Sequence, residues 1–109
     1  MAEVKLYQTF KREFSFMCYQ YITETLDIDE ITLDNEALDY QLKYECNIKL
    51  SEDESLDDKA DTIYTMFSIK HPEGYNTRSV SMSDVIEIDG VLLFVDTFGF
   101  RKIKRLSSK

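Results

Sequence analysis

The stretch that most constrains this fold runs from Ser79 to Phe100. Asp89-Gly90 stands between two runs rich in Val, Ile, Leu and Phe. Both residues tolerate positive φ, which a two-residue type I′ hairpin turn demands. The first arm alternates, with Ile86 and Ile88 on one side and Glu87 on the other. The second arm, Val91 to Val95, is apolar on both faces, the pattern of a strand inside a sheet. A lone hairpin is marginal in water, so the remaining elements are expected to fold onto this one.

Residues 40–50 supply a partner. Tyr40, Leu42, Tyr44, Cys46, Ile48 and Leu50 alternate with Gln41, Lys43, Glu45, Asn47 and Lys49, which describes an antiparallel strand with one wet face. Val4 and Leu6 mark a short first strand over 3–9. Ser55-Leu56-Asp57-Asp58 reads as an N-cap followed by carboxylates in the first helical turn. Leu56, Ala60, Ile63 and Phe67 then recur at helical spacing until Pro72 forbids continuation. Phe14, Cys18, Tyr21 and Thr25 have the same spacing and predict a helix over 13–25. The expected fold is α+β: an antiparallel sheet of about four strands (3–9, 40–50, 84–89 and 91–98, with room for a fifth at 100–104). Two amphipathic helices would pack on one face. One domain spans 1–109, with 104–109 expected as a frayed basic tail.

Charge is distributed unevenly. Residues 27–61 hold thirteen acids against three bases, whereas 101–109 hold five bases and no acid, within a total of −8. An acidic chain is a poor general ligand for nucleic acid, because phosphate contacts supply most of that affinity. It suits a basic protein partner. No apolar run approaches the roughly 20 residues of a membrane span. Met-Ala-Glu-Val-Lys lacks a signal peptide's apolar stretch, so a cytoplasmic location is expected. Cys18 and Cys46 have no metal or redox spacing and read as reduced, buried thiols.

Catalytic readings give way to simpler ones. Asp84, Asp96, His71, Arg78, Ser79, Ser81 and Ser83 could supply a His-assisted nucleophile or a carboxylate pair. Asp beside a hairpin strand, however, commonly bonds local backbone N–H groups. No glycine-rich phosphate loop, Gly-x-Ser-x-Gly elbow or paired-His motif is present. Calcium loops require a glycine at the sharp turn, and no Gly precedes residue 74. The chain therefore reads as a non-enzyme without cofactor or metal.

Ser79-Val80-Ser81-Met82-Ser83-Asp84-Val85, followed by Phe94-Val95-Asp96-Thr97-Phe98-Gly99-Phe100, resembles the YodL-like domain of Gram-positive bacteria and their mobile elements. The likeness extends to Ile63–Ile69 and His71-Pro72-Glu73, and covers the second half of the chain best. The family usually has Asn at the place of Ser68 and a Gly-His pair near Thr77-Arg78. The resemblance implies a setting on phages, plasmids and conjugative elements, and the charge map implies a basic target. The expected function is a non-enzymatic inhibitor of the anti-CRISPR kind. It would bind a basic nucleic-acid-handling defence protein such as a Cas9-type nuclease. The alternatives are a regulatory module for a cytoskeletal protein, or an accessory domain of conjugative-element proteins. The expected contact face is acidic, comprising Glu52, Asp53, Glu54, Asp57, Asp58 and Asp61, with a weaker contact from the loop bearing Tyr75 and Arg78.

Overall fold

A computed structural model describes residues 1–106. In chain order its elements are β1 (Ala2–Gln8), α1 (Tyr19–Leu26), β2 (Gln41–Ile48), α2 (Leu56–Ser68), β3 (Val85–Ile88), β4 (Val91–Val95) and β5 (Phe100–Ile103). The five strands form one antiparallel sheet ordered β2-β1-β3-β4-β5. The fold is therefore α+β, and the fifth strand is present. The hairpin turn lies where the sequence places it: Asp89 and Gly90 have φ of 48° and 88°, and Ile88 faces Val91. Asp89 does more than turn the chain. Its carboxylate accepts from the Glu3 N–H at 2.8 Å, and its own N–H donates to the Glu3 carbonyl at 2.9 Å. Nothing lies within 4 Å of a Cβ built on Gly90, so only backbone strain opposes a side chain there. Gly90→Val is expected to cost about 1–2 kcal/mol, read as a lower unfolding midpoint, and Asp89→Asn is expected to be nearly neutral. Equal midpoints for Gly90→Val and the parent chain would contradict the turn.

Side-chain alternation gives the sheet two buried faces. Val4, Leu6, Ile86, Ile88, Leu93 and Val95 meet Ala60, Ile63 and Phe67 of α2. Val85, Leu92 and Phe94 project the other way, onto Phe14, Ile22, Ile31 and Leu38. The expectation of both helices on one face is thus corrected. β3 and β4 are buried on both sides, which requires a cover on each. α2 provides one cover; α1 and the segment after it provide the other.

Strand ends shift from the sequence reading, most of all in β4, which stops at Val95 rather than at 98 because Asp96 begins a turn, and three further features differ. α1 begins at Tyr19 rather than Glu13. Phe16 adopts a left-handed conformation, φ 68°, with its N–H held by the Ser83 hydroxyl at 3.1 Å, and a helix cannot continue through that geometry. The β1–β2 register shifts between Leu6 and Tyr7 of β1, so that Tyr44 faces Leu6 but Leu42 faces Tyr7, and Lys43 is the extra residue in β2. The alternating run is consequently split. Tyr44, Cys46, Ile48 and Leu50 join the α2 side, Tyr40 joins the opposite cluster, and Leu42 stays 47% exposed. Finally, Lys104 and Arg105, expected in the frayed tail, are tied to the fold. Thr32 bridges to Lys104, Leu33 and Asp34 donate to the Lys104 and Arg105 carbonyls, and the Arg105 guanidinium meets the buried Glu87 carboxylate at 2.5 Å. Residues 107–109 of that tail lie outside the described residues.

Candidate functional site

The acidic surface is built by the β2–α2 turn and the first two turns of α2. Asp53 and Glu54 donate backbone N–H groups to Ser51, and Ser55 caps the helix by accepting from the Asp58 N–H at 3.1 Å. Because Leu56, Ala60, Ile63 and Phe67 take the inner face, Asp57, Asp58 and Asp61 are turned to solvent. Glu52, Asp53 and Glu54 are exposed beside them. All six expected carboxylates are thus exposed. Asp57 and Asp58 also stabilise the helix N-terminus through its dipole. A groove of about 640 Å³ runs along this side of α2, lined by Asp61, Thr62, Thr65, Met66, Lys70 and Pro72. A second of about 350 Å³ lies between α2 (Asp61, Tyr64) and the β4–β5 turn (Asp96 to Phe100).

Tyr75 and Arg78, expected as a loop contact, are instead turned inward. The Tyr75 ring stacks on Phe67 and His71, and its hydroxyl donates to the Arg78 carbonyl at 2.6 Å. Burial pushes that phenol up to about 12. Arg78 makes a two-pronged pair with Asp84, at 2.9 and 2.8 Å, and also donates to the Thr9 carbonyl at 2.9 Å. Asp84 is fully buried and accepts from Gln8 at 3.0 Å and from the Ser81 N–H at 3.0 Å. Thr77 in turn donates to Gln8, and the Tyr40 hydroxyl donates to the Ser83 carbonyl. Burial raises the Asp84 carboxyl above its ordinary value, and the Arg78, Gln8 and Ser81 bonds oppose that rise without cancelling it. The guanidinium is also flanked by Phe10 and Phe16, whose ring centroids lie 5.0 and 4.9 Å from its Cζ. Sequence reasoning missed Gln8, Phe10 and Phe16, because their partners lie roughly seventy residues away and no periodic signal marks them.

The other catalytic candidates are dispersed. His71 and Ser79 stand 3.0 Å apart, but both are exposed, and Ser79 also donates to the Ser68 carbonyl. Asp96 serves as a long-range cap for α1: its Oδ1 accepts from the Tyr19 N–H at 3.1 Å. Cys18, at the N-cap position, supplies no side-chain bond. Asp96 also accepts from the Thr97 N–H, which fixes the turn that displays Phe98, 92% exposed. Cys18 and Cys46 are free and half-buried. Among the described residues no three of His, Cys, Asp and Glu gather as a metal site, and no helix is long and apolar enough to cross a membrane.

No curated protein and no solved structure matches the chain. Comparison with protein families aligns residues 3–105 with the YodL-like domain. The Ser79–Val85 motif thus corresponds to the segment that buries Asp84 against Arg78, and the Phe94–Phe100 motif to β4 and the turn carrying Phe98. With nearly its whole length aligned, the chain belongs to the YodL-like domain family.

Proposed function

We propose that this YodL-like domain is a non-enzymatic inhibitor that docks on a basic protein surface. In its most concrete form, it blocks a Cas9-type nuclease of a bacterial defence system on behalf of a phage or other mobile element. One observation carries this reading: Glu52, Asp53, Glu54, Asp57, Asp58 and Asp61 are all exposed within ten residues of turn and helix. Ser51, Ser55 and the helix itself hold the backbone of that stretch, so the charges are presented with little ordering left to do on binding. Effectors of this kind hold the guide–target duplex in a positively charged channel recognised through its backbone. A rigid acidic ridge competes for such a channel by charge and shape. Target binding by gel shift and target cleavage, each with and without the protein, provide the test. Inhibition that rises with protein concentration is expected. Unchanged binding and cleavage at large molar excess would overturn the proposal.

A further inference from the structure

We infer that β2 is a self-recognition edge: two copies of the chain pair through it, antiparallel and centred on Cys46, joining their sheets into one. This inference is independent of the acidic surface. The two edges of the sheet are treated differently. β5 is a four-residue strand, and the chain just beyond it is covered by residues 32–34, with the Leu33 N–H on the Lys104 carbonyl at 2.9 Å and the Asp34 N–H on the Arg105 carbonyl at 3.1 Å. β2 is the longest strand, eight residues, and no described strand pairs with its outer side. Edges are ordinarily blunted by Lys, Pro or bulges. Here the register shift sits at one end, beside Lys43, and Tyr44 to Ile48 carry a single charge, Glu45.

Backbone parity limits the pairing. Glu3 exchanges hydrogen bonds with Asp89, so its N–H and C=O turn toward β3. Alternation then turns Ala2, Val4 and Leu6 toward Ile48, Cys46 and Tyr44, which leaves the backbone groups of Glu45 and Asn47 pointing out of the sheet. A symmetric antiparallel partner satisfies all four groups when Glu45 of each copy faces Asn47 of the other, with the two-fold axis at Cys46. The side chains agree with that register. Each Asn47 amide can donate to a Glu45 carboxylate, and Tyr44 lies opposite Ile48 of the second copy. Centring on Glu45 would set two carboxylates face to face. Centring on Asn47 would require Lys49, which lies beyond the strand.

Sedimentation or light scattering of the full chain, from micromolar to millimolar concentration, tests this inference. A monomer–dimer equilibrium is expected, tighter at high salt because two copies of charge −8 repel less when screened. Asn47 is exposed, so charged replacements leave the fold intact, and thermal unfolding verifies that. Asn47→Lys places Lys opposite Glu45 twice and should tighten the dimer, whereas Asn47→Glu should weaken it, each by roughly two- to thirtyfold. Glu52→Gln controls for the change in overall charge and should have a smaller effect than Asn47→Lys. A single-chain mass at every concentration would overturn the inference. So would weakening by Asn47→Lys, the signature of an Asn47-centred pair, or tightening by Asn47→Glu, the signature of a Glu45-centred one.

Discussion

Arg78→Met is expected to destabilise the fold by about 3–5 kcal/mol, because it leaves the fully buried Asp84 carboxylate without its counter-charge. For a domain of this size that corresponds to a fall of at least about 12 °C in thermal midpoint. The loss should depend on pH in a defined sense. Burial already holds the Asp84 carboxyl above its ordinary value, and removal of Arg78 takes away the strongest opposing influence. The folded variant then binds the Asp84 proton more tightly than the unfolded chain does. Its stability therefore falls as pH rises from the ordinary carboxylate range through the elevated folded value, and is flat above it. The deficit against the parent chain should be smallest in acid. Asp84→Asn in the Arg78→Met background should recover part of the loss, since a neutral amide costs less to bury and still accepts from Ser81. A loss below about 1 kcal/mol for Arg78→Met, the range of solvent-exposed pairs, would show that the pair is hydrated.

The largest effect on partner binding is expected from reversing Glu52, Asp53 and Glu54 to Lys together. Three acid-to-base exchanges, each worth two charges, take the chain from −8 to −2. Association with a basic partner should slow by roughly ten- to a hundredfold at low salt, and the difference should shrink as salt is added. The turn is held by backbone donors to Ser51, so the unfolding midpoint should move little. Asp57 and Asp58 are poorer test positions because they also serve the N-terminus of α2. Unchanged association rates in a folded triple variant would identify the cluster as a solubilising surface.

The parts of the molecule legible in the sequence are those whose signals are local. Asp89-Gly90 determines its own turn, and Ser55 with Asp57 and Asp58 announces the start of α2. The solvent-facing acids follow from the four inward positions of that helix. The parts not legible depend on distant partners. Nothing near Phe16 forecasts its left-handed backbone, which is set by a hydroxyl sixty-seven residues away. Arg78 reads as a loop cation until Asp84, Thr9 and two Phe rings are placed around it. Asp96 reads as a strand-end residue, although its carboxylate caps a helix seventy-seven residues earlier. The alternation of β2 was legible, but the register shift that divides it between the two faces has no sequence mark. Lys104 and Arg105 read as part of a loose end because their carboxylate partners, Glu30 and Glu87, are remote in sequence.

The position of β1 has a consequence for biosynthesis. Of the five strands of this sheet β1 is synthesised before the other four, yet it lies inside the finished sheet, with β2 on one side and β3 on the other. β3 is synthesised only after residue 84. Until then one side of β1, with Val4 and Leu6, lacks the neighbour it will have in the native state. Pairing partners that far apart in sequence also make the search for the native sheet slow. The sheet is therefore closed last at its centre, when the β3–β4 hairpin docks on β1, and an intermediate lacking that hairpin exposes apolar surface prone to aggregation.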